Sequence, residues 1–188
     1  MSKRATECGC VLCRPNDVRN SGSARDAAWA DKLAATVREH GWTVVAVPAD
    51  EHGPAFAYTV GLPHTAHVPE LAMLGLPIQV MHTLLNNIAS RIRDGAPAAD
   101  GTRVDGLLAA GLALVLKDAD PGWHPTFFGQ TAWFHRAAVP VRQVVWPDPA
   151  GVFPWEDGFD QACRTAQPTL WIPPDRDRAV ARTPLEDA

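Results

Sequence analysis

Cys8, Cys10 and Cys13 fall within the single run ECGCVLCR near the start of the chain. Thiols this close are metal ligands, redox-active groups, or reduced thiols on a loose arm. Tetrahedral zinc needs four ligands, and structural sites usually pair two C-x2-C knuckles from different parts of the chain. Here Cys10 and Cys13 form one knuckle, Cys8 adds a third thiolate at short range, and no second C-x2-C exists. The fourth ligand is undetermined: Cys163, or a histidine such as His40 or His124, could supply it. Zinc is the cofactor such a set would take, with a three-cysteine iron–sulfur cluster the lesser alternative.

A second group of residues could do acid–base chemistry. His64 and His67 form an H-x2-H pair, but they stand in a Pro-bounded stretch, 62–69, that reads as a loop. The helical argument that puts two imidazoles on one face is lost there. Glu70 follows Pro69 and could act as a general base or as a partner of either histidine, or be an ordinary edge residue. Tyr58 is the only tyrosine. With Thr59, His64, Glu70 and Asn86 it makes up the candidate catalytic set. The C-terminal third is aromatic, with Trp123, Trp133, Trp146 and Trp155 near Asp148 and Glu156. Trp146, Asp148 and Trp155 are therefore the candidates for holding a flat ligand, against the alternative of an aromatic core. There is no G-x-x-x-x-G-K-[ST] loop, no G-x-G-x-x-G after a strand and no G-x-S-x-G. Nucleotide folds and serine hydrolases lose support accordingly.

The chain has 188 residues, enough for one domain with a proper core. A net charge of −4 offers no basic surplus for nucleic acid or an anionic membrane. The first 23 residues are polar and lack the apolar core of a secretory signal, and the longest apolar run, 106–116, is too short to span a bilayer. The expectation is a cytoplasmic protein, with a small molecule or a protein as partner, no membrane, and nucleic acid disfavoured. In that compartment a close cysteine group binds metal or is redox-active rather than forming disulfides.

Residues 1–23 read as a flexible cysteine-containing arm, with Ser23 a candidate N-cap. Trp29, Leu33 and Val37 recur at helical spacing over 24–40, and Gly41 supplies the stop. The stretches 42–47 and 55–61 read as paired strands, 71–76 as a third strand, and Pro77 as the first residue of a helix ended by Gly95. On that helix Ile78, Met81, Leu85, Ile88 and Ile92 share one face. Residues 112–117 and 141–146 read as further strands, 126–136 as a short helix and 159–166 as a helical turn. The Pro/Asp/Arg-rich residues 173–188 read as a disordered tail. Hairpin-like neighbours with one crossover helix predict an α+β fold. It would be a single domain over 24–172, with a mostly antiparallel sheet and two main helices.

Several short motifs together carry a family resemblance. They are FAYTVGL from Phe56 to Leu62, Pro69-Glu-Leu71, Gly75-Leu-Pro77 opening a helix with Leu85-Asn86, Val144 to Asp148, Gly151 to Trp155, and Gln167-Pro168. A helix ending in His40-Gly-Trp42 and the cysteine knuckle before it complete the set. This combination resembles the bacterial family known as domain of unknown function 4262, over roughly residues 8–172. The resemblance implies a compact α+β domain and carries no activity. Where members often have histidine directly before Pro-Glu-Leu, this chain has Val68, with His67 one place earlier. Two functions then compete. One is a small-molecule or protein-binding regulatory module with an N-terminal metal clip. The other is an enzyme using Tyr58, His64, Glu70 and Asn86, with or without a metal.

Overall fold

A computed structural model describes residues 8–15 and 24–176. The expected N-cap Ser23, the rest of the N-terminal arm and most of the expected C-terminal tail lie outside the described residues. Helix α1 covers Ala24–His40 and strand β1 Thr43–Val47. Strand β2 is Phe56–Val60, α2 is the single turn Leu62–Thr65, and β3 is Glu70–Leu74. Helix α3 is Ile78–Arg93, followed by β4 at Arg103–Val104 and β5 at Leu114–Asp118. Two short helices, α4 (His124–Phe127) and α5 (Gly129–His135), precede β6 (Val141–Val145) and α6 (Gln161–Ala166).

The six strands form one sheet in the order β1-β2-β3-β6-β5-β4. Every pairing is antiparallel except β3 with β6. This is the mostly antiparallel α+β domain that the pattern predicts. The parallel neighbour of β3 is β6, which cannot be reached through a tight turn; α3, β4, β5, α4 and α5 all lie in the connection. The two-residue β4 carries no sequence signal and pairs only with β5.

The sheet is covered on both faces. Phe56, Tyr58 and Val60 of β2 point to one face with Ala72, Leu74 and Val141. There they meet Leu33 and Val37 of α1, and Phe127, Phe128 and Phe134 of the α4–α5 region. Ala57, Leu71, Met73, Leu114, Leu116 and Val144 point to the other face and pack on Met81, Leu84, Leu85, Ile88 and Ile92 of α3. All ten residues of β2 and β3 are therefore buried. The alternation expected for β2 sorts residues between two cores rather than between core and solvent. On α3, Leu84 and Ala89 join the apolar stripe, and Pro77 stands just before the first helical residue.

Two glycines are dictated by close approach. Gly61 has φ +122°, and a Cβ there would lie 2.7 Å from Val37 Cγ1 and 2.8 Å from the Gly41 carbonyl oxygen. Gly75 has φ +83°, and a Cβ would lie 2.0 Å from the Ala166 carbonyl oxygen. The C-terminal segment is tied to the sheet by two buried amides. Gln143 donates to the Pro168 carbonyl and accepts from the Leu170 N–H. Gln167 bonds both the N–H and the C=O of Trp146. These amides stand in for strand pairing where no strand follows.

Candidate metal centre

The cysteine knuckle is a tight turn. The Cys10 carbonyl accepts from the N–H groups of Cys13 (3.1 Å) and Arg14 (3.0 Å). That fold aims the Cys10 and Cys13 side chains the same way. Val11 donates to the Phe134 carbonyl at 2.9 Å, tying the knuckle to the last turn of α5. Cys10 and Val11 are buried in the core shared with Leu33, Val37 and Phe134. Cys8 and residues 10–13 are thus packed against the domain.

The partner that the thiols face is His64. Its Nδ1 lies 3.7 Å from Cys8 Sγ, 3.4 Å from Cys10 Sγ and 3.5 Å from Cys13 Sγ. All four atoms lie within 4.8 Å of one another. One imidazole lone pair accepts one S–H, so three thiols at equal range from one nitrogen are not a hydrogen-bonded arrangement. They are the corners of a tetrahedron. With Zn–S near 2.3 Å and Zn–N near 2.05 Å, a tetrahedral site has S···N edges of about 3.6 Å. The four side chains can therefore hold a metal ion, and three soft thiolates with one imidazole fit zinc. All four positions are protein ligands, the closed set of a structural site rather than the open one of a hydrolytic centre.

The fourth member of the cluster is a histidine, though none of the three residues that the sequence offered by name. Cys163 packs on the α3 side of the sheet, His40 is exposed at the end of α1, and His124 packs edge-on to Phe128. His67, the other half of the H-x2-H pair, is absent from the cluster. The region 62–69 is not wholly a loop, since Leu62–Thr65 forms one helical turn that carries His64.

That turn is braced by a buried polar network centred on Glu70. The fully buried carboxylate accepts from Thr59 Oγ1 (2.6 Å), the Gly61 N–H (2.6 Å), the Leu62 N–H (3.3 Å) and His135 Nε2 (2.8 Å). Glu70 thereby satisfies the amino end of the turn bearing His64, and Thr65 Oγ1 fastens its other end to the Gly41 carbonyl at 2.6 Å. Consecutive residues of α5 support both halves of the centre: Phe134 holds the knuckle and His135 holds Glu70. His135 is not legible in the sequence as the partner of Glu70, because that bond spans 65 residues.

Burial sets the protonation of the ligands in the metal-free chain. It raises the Cys10 thiol, and with hydrogen bonds from Cys10 and Cys8 it pushes Cys13 up to about 12. Burial, then the nearby His135 and His67, lowers His64. Burial thus favours the neutral imidazole, the form that can ligate a metal, and the protonated forms of Cys10 and Cys13, whose protons a binding cation would displace.

The remaining candidates do not converge on one site. Thr59 and Glu70 are bonded to each other, but inside the core. Tyr58 packs edge-on against Phe128, and burial pushes its phenol well above the usual range. It lines a separate cavity of about 400 Å³ with Phe56 and Gln130. Asn86 belongs to α3 on the opposite face, where it accepts from Trp42 Nε1 at 2.9 Å. Trp146 is buried and donates to the Leu74 carbonyl. Asp148 organises a turn by accepting from the N–H groups of Ala150, Val152 and Asp160. Trp155 borders an open cleft.

Among the described residues no helix is long and apolar enough to cross a membrane. No curated protein and no solved structure matches the chain. The family model for a domain of unknown function, DUF4262, matches residues 36–160. The match includes His64, Glu70 and His135 and leaves the three cysteines outside it. Spanning both sheet faces and the turn that carries the imidazole ligand, it shows that the chain belongs to the DUF4262 family.

Proposed function

We propose that this domain is a binding or regulatory module whose N-terminal segment is clipped to its core by one zinc ion, held by Cys8, Cys10, Cys13 and His64. A single observation carries the reading: three thiols converge on one ring nitrogen at the edge lengths of a zinc tetrahedron. Bound zinc would supply folding free energy, since the site exists only when residues 8–13 meet the turn at 62–65. The chain's own residues do the rest. The knuckle presents two thiolates, Glu70 holds the turn that presents the imidazole, and Cys10 and Val11 fill the core between α1 and α5. The binding half of the reading is supported by an open, ring-lined cleft on the same sheet face, away from the zinc ligands.

The test is elemental analysis of protein purified anaerobically without added metal. One zinc per chain is expected, with occupancy falling sharply in Cys10→Ser and in His64→Ala. His40→Ala, His124→Ala and Cys163→Ser should retain full occupancy. Metal-free wild-type protein would refute the clip, and so would full occupancy in His64→Ala.

A further inference from the structure

The far edge of the sheet carries a second constellation. Register places Arg103 opposite Val115 and Lys117 opposite Gln143, so Arg103, Val115 and Lys117 share one sheet face. The C-terminal segment returns across that face and closes a cleft of about 440 Å³ with Phe153, Trp155 and Trp171. The rings are arranged as a corner. Trp155 stacks on Phe153 at 4.8 Å and 6°, while Trp171 meets it edge-on at 5.6 Å and 74°. Phe153 and Trp171 are anchored on Val115 and Val145, yet Trp155 keeps 44% of its surface exposed. A large indole held by its neighbours and left open is a stacking platform.

The charges at the mouth set the polarity of what would stack there. The lining holds two cations, Arg103 and Lys117, against one carboxylate. That carboxylate, Glu156, is turned to the Phe153 N–H at 2.8 Å. Lys117 Nζ lies 5.9 Å from the Trp155 ring centroid and 3.5 Å from Asp100. Arg103 engages Asp105 through Nε at 3.1 Å, and its terminal nitrogens make no hydrogen bond among the described residues. Exposed single-contact pairs of this kind are weak and leave donors for a ligand anion.

We infer that this cleft binds a planar, fused-ring aromatic acid, its ring system on Trp155 and Trp171 and its carboxylate toward Lys117 and Arg103. The inference rests on the binding half of the proposed function and is independent of the zinc clip.

Isothermal titration of the zinc-replete full chain tests it, with 2-naphthoate as the probe. The neutral 2-naphthylmethanol and the cationic 2-naphthylmethylammonium serve as comparisons. Saturable binding of one naphthoate per chain is expected, about five- to tenfold tighter than the neutral analogue. Trp155→Ala should abolish it, and Lys117→Gln should erase the preference for the acid while leaving the ring bound. Both side chains are surface-exposed or half-buried, and thermal melts check that the variants fold. Absence of saturable binding, equal binding of all three probes, preference for the cation, or unchanged binding in Trp155→Ala would overturn the inference. Zinc content measured on the same samples separates the two readings. One zinc per chain without naphthoate binding sinks the cleft alone, and naphthoate binding without zinc sinks the clip alone.

Discussion

Replacing Glu70 by glutamine separates the brace of the metal centre from its ligands. The substitution keeps shape and volume but turns one of two acceptor oxygens into an N–H donor. Oε1 accepts from the Gly61 N–H and His135 Nε2, and Oε2 from Thr59 Oγ1 and the longer Leu62 N–H contact. The amide nitrogen does least harm on the Oε2 side, where the Thr59 hydroxyl can rotate to accept and only Leu62 faces a second donor. Even so, the two bonds on the other oxygen lose the strength that a carboxylate acceptor lends them, and the Leu62 N–H is left buried without an acceptor. Bonds to a charged group are worth about 1.5–3 kcal/mol and an unpaired buried donor costs about 1–3 kcal/mol, so Glu70→Gln should destabilise the domain by about 3 kcal/mol. Glu70→Ala strands all four donors and should cost about 3–5 kcal/mol. Because the same bonds orient the turn carrying His64, zinc affinity should fall roughly 10- to 100-fold in Glu70→Gln with all four ligands intact. Urea unfolding of the zinc-loaded protein and competition with a chelator measure the two effects. A midpoint within experimental error of wild type, together with unchanged zinc affinity, would refute the assignment of Glu70 as the brace.

Other perturbations probe independent parts of the structure. Chelation at neutral pH should detach residues 8–15, read as rapid proteolysis near Cys13 and faster amide exchange at Val11, whose N–H is held by Phe134. Gly75→Ala must accommodate a methyl group against the Ala166 carbonyl at positive φ; a loss of at least about 2 kcal/mol by denaturant titration is expected, with zinc content unaffected. Gln167→Ala leaves both the N–H and the C=O of buried Trp146 without their partner, and a loss of about 2–4 kcal/mol is expected from the same titration. The Val152 N–H, with those of Asp160, Ala150 and Gly151, lowers the Asp148 carboxyl below its ordinary 3.8. The folded pKa being the lower one, its contribution is complete above that value and disappears as pH falls through the folded pKa. Asp148→Asn should therefore flatten the acid limb of a stability–pH curve below about pH 4 and leave the limb above pH 7 parallel to wild type.

Local pattern decided the elements and left their partners open. Helical spacing of Leu33 and Val37, the β-branched and aromatic runs of β1 and β2, and the apolar stripe of α3 each reflect interactions within a few residues. They are therefore legible in one dimension. The same holds for the knuckle, because a C-x2-C pair converges through its own turn. The buried glutamines Gln143 and Gln167 left no comparable trace, since each bonds backbone more than twenty residues away. Of the short motifs that carry the family resemblance, several fall in or beside β2, β3, α3 and β6, the elements that build the sheet and its cover.

Tertiary structure decided the chemistry. Asn86 and Tyr58 look equivalent as polar residues near an element's centre, but the sheet lies between them, so they cannot share a site. His64 read as one of two loop histidines; the fold brings it to the three thiols on a turn that buried Glu70 braces. The sequence by itself determined that three cysteines stand within six residues and that an α+β domain follows them. Only the fold chose the fourth corner. His64 stands more than fifty residues from each of the three cysteines, and no spacing rule reaches that far.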